Sequence, residues 1–117
     1  MESMINQGKE ICLSVPAEPE FVMSLRLFFS GLGTVAGFDV EELEAMKLVI
    51  SEMLVMSVKD EQETVDFKFE LGNGELSLRA NVTFDDRDDL SLKIMEALSE
   101  ELTTDDVETV VKFIKEA

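Results

Sequence analysis

Glu52 is the one charge in the apolar run Leu48-Val-Ile-Ser-Glu-Met-Leu-Val-Met-Ser-Val58. A carboxylate in such a run needs a partner, contact with water, or a chemical task such as general-base work. The acidic stretch Asp85-Asp-Arg-Asp-Asp89 offers a second kind of chemistry. It could hold a hard cation, or Asp88 or Asp89 could cap a following helix with the remaining carboxylates solvated. The third candidate is Gly31-Leu-Gly-Thr-Val-Ala-Gly37, whose spacing passes for a dinucleotide loop. Such a loop needs a strand before it, and the residues before Gly31 have helical spacing, so the context fails.

The elements that must position these residues follow from periodicity. Ile11–Val15 is β-prone and stopped by Pro16. Apolar residues at Phe21, Leu25, Phe28, Leu32 and Val35 predict a helix ending near Gly37, with Val22, Phe29 and Ala36 widening its stripe. Asp39 and Glu42 form a capping-box signature, and a second helix is expected from Val40 to about Lys59. Val65, Phe67, Phe69 and Leu71 alternate with polar residues, then Asn73-Gly74 supplies a type I′ turn pair. Leu76, Leu78, Ala80, Val82 and Phe84 resume the alternation, which predicts a β-hairpin with one apolar face. A further helix is expected over about Leu90–Leu102, with Leu90, Ile94 and Leu98 on one face. In the last segment, Val107, Val110, Val111 and Ile114 fit a helix, with Asp105 and Glu108 as its capping box. Val107, Thr109, Val111 and Phe113 also alternate as in a strand, although the spacing leans to the helix.

Composition narrows the function. The 117 residues suit one domain, read as 1–117 with residues 1–9 as a loose leading segment. Apolar residues are 45% of the chain, enough for a core, yet no run reaches the ~18–20 residues of a membrane span. The single cysteine, Cys12, permits no internal disulfide, and the expectation is a cytoplasmic protein. With 26 acidic and 10 basic residues the net charge is -16, a field that repels nucleic acid and acidic membranes. With no histidine, imidazole acid–base chemistry and imidazole metal ligation are excluded.

The words "LSVPAEPEFVMSLRLFFSGLG" and "GFDVEELEAMKLVISEM", in the order strand, helix, helix, hairpin, helix, final segment, resemble the anti-sigma factor serine kinases of the GHKL (Bergerat-fold) ATPase superfamily. The resemblance is good over Ile11–Lys59, topological through the hairpin, and weak beyond it. It implies an α+β two-layer sandwich: a mixed, mainly antiparallel sheet with helices on one face. It also implies that the last segment is a strand, ending like "VETVVKFIKEA". In that family the second helix carries a glutamate, the general base, and four residues later an asparagine that helps hold magnesium on ATP.

Glu52 matches the glutamate, and Met56 stands where the asparagine would be. A thioether cannot replace an amide oxygen on magnesium. Asp85 or Asp86 is the remnant of the family's adenine-reading aspartate, but the glycines of that box are absent, and no glycine follows Gly74. About five residues separate hairpin from helix, too few for the family's ATP lid. The resemblance therefore implies a degenerate anti-sigma-like regulator that binds proteins, a sigma factor or its antagonist, without ATP. Glu52 is then a relic whose carboxylate reaches solvent or Lys59, and Met53 and Met56 fill the former pocket. The excess of phenylalanines on the first helix beside Arg26 points to an interface, self-association included. The alternatives are an active serine/threonine kinase using ATP and magnesium, and an accessory interaction domain unrelated to sigma factors.

Overall fold

The computed structural model describes residues 9–115. The loose segment expected at the start lies, but for Lys9, outside the described residues. The elements are β1 (Lys9–Pro16), a 3-10 turn (Pro19–Phe21), α1 (Val22–Ala36), α2 (Val40–Lys59), β2 (Thr64–Gly72) and β3 (Glu75–Ala80). A second 3-10 turn (Asp86–Asp88) leads into α3 (Asp89–Leu98), followed by β4 (Glu101–Thr104) and β5 (Thr109–Ile114). The five strands form one sheet in the order β1-β2-β3-β5-β4. Every pairing is antiparallel, so the mixed sheet expected from the sequence is a purely antiparallel one.

One face of that sheet is apolar because the strand alternation holds through it. Val65, Phe67, Phe69 and Leu71 of β2 are buried, as are Leu76, Leu78 and Ala80 of β3 and Val111 and Phe113 of β5. The helices cover this face. Phe29 of α1 is fully buried, with its ring 5.5 Å from Phe69 and 5.8 Å from Phe113. The opposite face carries exposed pairs, Lys68 with Glu10 (3.6 Å), Lys112 with Glu75 (3.1 Å) and Arg79 with Glu108. Such surface pairs stabilise little and chiefly keep the face wet.

Helix α1 turns inward the side its spacing suggested, apart from one residue: Phe28 and Leu32 pack on the core. Leu25, Phe29, Gly33 and Ala36 are buried, whereas Val35 is 77% exposed. Gly33 sits against α2. A Cβ there would lie 2.5 Å from Leu43 Cδ2 and 2.7 Å from Met46 Cε, so its bare backbone is what lets α2 come close. Gly37 ends α1 in the left-handed region (φ 95°), its N–H bonded to the carbonyls of Gly33 and Thr34. The Gly31–Gly37 stretch is thus helix and C-cap, not a phosphate loop.

The hairpin is present with a different turn. The left-handed conformation falls on Gly74 (φ 75°) but not on Asn73, so this is not type I′, which needs both. Strand β3 also stops at Ala80, short of the expected Phe84. The side chain of Asn81 takes over from the ladder, its Oδ1 accepting from Asp66 N–H at 2.8 Å. Val82 and Phe84 stay buried all the same, held by a relay of hydroxyls. Phe84 N–H donates to Thr104 Oγ1 (3.4 Å), which lies 2.9 Å from Thr109 Oγ1, and Thr109 Oγ1 donates to the Val82 carbonyl (2.6 Å). Thr109 is fully buried, and this relay satisfies it.

Helix α3 is shorter than expected. It ends at Leu98, and Leu102 belongs to β4, paired with Val111. Its buried side is also different: Met95 is fully buried with Leu92 and Leu98 packed on the core, while Leu90 is 73% exposed. The final segment is strand, as the family likeness implied. Val107 is not in it. The Asp105–Glu108 signature makes a turn instead of a helix cap, with Asp105 Oδ1 accepting from Val107 and Glu108 N–H (2.7 and 2.9 Å).

Candidate functional site

Helix α2 carries the central residues, and its start is fixed by its sequence. Asp39 accepts from Glu42 N–H and Glu42 accepts from Asp39 N–H, both at 2.8 Å, completing the capping box. Glu41 and Glu42 in the first turn and Lys59 in the last suit the helix dipole. Met46, Val49, Ile50, Met53, Leu54 and Met56 then run into the core.

Glu52 and Met56 share one side of α2 but not one environment. Four residues advance a helix by about 40° past a full turn, and that rotation decides their fates. Met56 is 4% exposed and Met53 fully buried, both within the core cluster. Glu52 is half-buried and makes no hydrogen bond or ion pair among the described residues. The partner suggested for it, Lys59, is instead 3.5 Å from Asp88. That bond ties the last turn of α2 to the loop after β3, and no spacing rule would have found it across 29 residues. Arg26 is turned toward α2, its Nη1 donating to Ser51 Oγ at 3.2 Å.

The acidic loop is self-contained. Asp85 Oδ1 accepts from Arg87 N–H (2.8 Å), and Asp85 Oδ2 is 2.7 Å from Arg87 Nη2. Asp88 Oδ2 accepts from Asp85 N–H (3.0 Å), so the expected cap of α3 points backwards to cap the 3-10 turn; Asp88 makes no side-chain cap to α3. Asp86 is exposed. The hydrogen bonds from Arg87 hold the Asp85 carboxyl at about 2, below the usual carboxylate range. Arg87→Ala should therefore move the Asp85 titration midpoint upward toward the ordinary value of ~3.9, read by carbon-detected NMR. A group with a depressed pKa contributes stability that is present above its unfolded value and lost as pH falls through its folded one. Any contribution from Asp85 thus belongs between about pH 4 and 2, and an unmoved midpoint in the variant would refute the Arg87 cause.

Neither Glu52 nor Met56 lines the two cavities that border α2. An apolar cleft of about 220 Å³ is lined by Pro19, Val22, Leu54, Val55, Val58 and Lys59. One of about 400 Å³ lies where Glu41 and Ala45 of α2 face Ala97 of α3 and Phe113. No helix among the described residues is long and apolar enough to cross a membrane.

Comparison with known proteins places this arrangement. No protein-family model matches the chain. It is 36% identical over 84 residues to the serine-protein kinase RsbW of Bacillus subtilis, covering 72% of this chain and 48% of that one. It is 33% identical over 83 residues to the serine-protein kinase RsbW of Listeria innocua, covering 67% and 53%. The matches thus span about half the length of these curated relatives. Its fold superposes with a TM-score of 0.68 on a crystal structure of RsbU and RsbW domains from Mycobacterium tuberculosis, over 92% of this chain and 31% of that one, at 14% identity. The sequence likeness carries the kinship and the superposition carries the architecture: the chain is an anti-sigma factor serine kinase-like protein of the GHKL, or Bergerat-fold, superfamily.

Proposed function

We propose that this chain is an anti-sigma-factor-like regulator that works by binding proteins, a sigma factor or its antagonist, in the cytoplasm, and that it does not use ATP. The observation that carries the reading is the burial of Met56. Where the family places an amide oxygen facing magnesium, this chain puts a thioether into the apolar core. Sulfur of this kind is a poor ligand for a hard cation. Of the two candidate remnants of the adenine reader, Asp85 is occupied by its own loop through Arg87 and Asp86 is exposed. The aspartates around it would repel a triphosphate. These residues do not fit a magnesium-bridged nucleotide, so Glu52 has nothing to act on. The net charge of -16 suits a partner with basic regions.

A melting scan with and without Mg-ATP tests this. A ligand at 100 times its Kd adds ~2.7 kcal/mol, which for a domain this size raises Tm by roughly 10 °C. The expected shift with millimolar Mg-ATP is none. Co-purification from the native host should return a sigma factor or an antagonist, and recovery of neither would remove the regulatory half. One feature favours the second reading, an active kinase: Glu52 is half-buried and unpaired among the described residues, as a working base would be. A clear Mg-ATP shift would select it.

A further inference from the structure

Helices α2 and α3 run antiparallel, and one end of the pair is tied. Lys59 in the last turn of α2 lies 3.5 Å from Asp88, just before α3. At the other end both helices present alanines, Ala45 and Ala97, and the cleft of about 400 Å³ opens between them. That volume is in the range of small-ligand sites, ~300–1,000 Å³. Ala45 and Met56 are roughly 16 Å apart along the axis of α2, which keeps the cleft away from the position of the family's magnesium ligand.

The lining sets the chemistry of an occupant. Phe38, Leu98 and Phe113 join the two alanines as apolar wall, and both phenylalanines are themselves buried. The polar side chains are Glu41, Glu42, Ser99 and Glu100, and among the described residues no lysine or arginine lines the cleft. Ser99 Oγ donates its proton to the Met95 carbonyl (2.7 Å), which leaves it an acceptor toward the cleft. Every one of these groups accepts, so a ligand must donate, and carboxylate or phosphate ligands are repelled. Hydrocarbon walls give a bare metal ion nothing to bind. Glu42 is held in the capping box. Glu41 and Glu100 remain, both exposed and neither with an ion-pair partner among the described residues. They stand on different walls, Glu41 in the first turn of α2 and Glu100 between α3 and β4. Two ammonium groups joined by a hydrocarbon chain answer both walls and the apolar surface as well.

We propose that the cleft between the start of α2 and the end of α3 binds an aliphatic polyamine. Its methylenes lie on the alanines and phenylalanines, and its ammonium groups face Glu41 and Glu100. Burial of the methylenes supplies the affinity that exposed ion pairs alone do not. The field of a chain with net charge -16 concentrates such cations at its surface. This site goes beyond the protein-binding reading and does not depend on it.

The test is an NMR titration of the full-length chain with spermidine in ~0.15 M salt, where diffuse attraction fades beyond ~8 Å. The methyl resonances of Ala45, Ala97 and Leu98 and the ring of Phe113 should move together and saturate. Glu41→Gln with Glu100→Gln should weaken binding about three- to tenfold, the scale of two exposed ion pairs. Glu63→Gln with Glu70→Gln removes the same charge from exposed positions outside the cleft, and should change binding by less than about twofold. Ala97→Phe, at an exposed position of α3, leaves the charge untouched and should block the cleft. Magnesium chloride at equal cation charge should not reproduce the shifts. Movement spread over the whole acidic surface would overturn the assignment, as would equal losses from the two glutamate pairs. So would wild-type affinity in a folded Ala97→Phe chain, or the same resonances shifted by magnesium.

Discussion

Phe29→Ala should remove about 3–5 kcal/mol of stability, the usual cost of emptying a large buried aromatic site. Phe29 is fully buried and touches the rings of both Phe69 and Phe113. It therefore joins α1 to two separate strands, and no neighbour can collapse into the space without drawing the helix off the sheet. Domains of this size have about 5–15 kcal/mol in total, so the loss is a large share. Urea denaturation followed by circular dichroism should show a much lower midpoint with little change in slope. Leu27→Ala, two residues away but 62% exposed, should move the midpoint by under about 0.5 kcal/mol. Equal effects from the two would mean that the helix face has been assigned wrongly.

Met56→Asn is the second large effect, and its sign discriminates between histories of the site. Were a nucleotide pocket present, asparagine at this position would restore the family's magnesium ligand and bring Mg-ATP stabilisation with it. Because Met56 lies in the core, the substitution should instead bury an amide. The lost apolar burial is ~1.5–3 kcal/mol, and an unsatisfied amide adds about 1–3 kcal/mol. The expected result is a weakened protein, about 2.5–6 kcal/mol less stable, with a Tm indifferent to Mg-ATP. A gain of nucleotide-dependent stabilisation would show that the frame for magnesium survives under a single changed side chain.

What the sequence disclosed, and what it hid, divides along the range of the forces involved. The Asp39–Glu42 capping box, the alternation of Val65 to Leu71 and Gly37 as a helix stop are local, and each is found where the residues placed it. The core-facing side of α1 was legible except at Val35, which is exposed. What periodicity could not show is the part of Gly33, where a side chain would collide with Leu43 and Met46 of α2. Helix α3 was misread: Leu90, Ile94 and Leu98 have good spacing, but Met95 is the residue that the core accepts. The end of β3 and the separate strand β4 depend on Thr104 meeting Thr109, a contact no periodic pattern announces. Around Glu52, the contact with water was legible, and the alternative pairing with Lys59 is absent. Lys59 is committed to Asp88, a residue contributed by a loop that only the folded chain brings near.

The position of β1 also carries a consequence for how the chain assembles. The pairs β2–β3 and β4–β5 close over short turns, Gly72 opposite Glu75 and Thr104 opposite Thr109. Strand β1 meets β2 only across some fifty residues, Ser14 opposite Asp66, with both long helices in between. Each doubling of such a span adds about 0.6 kcal/mol of lost chain freedom before any contact repays it. The local hairpins therefore carry the smaller closure cost, and the β1–β2 pairing the largest in the sheet. Strand β1 is synthesised well before its partner, and a nascent chain must hold it in waiting until residue 71 has been made.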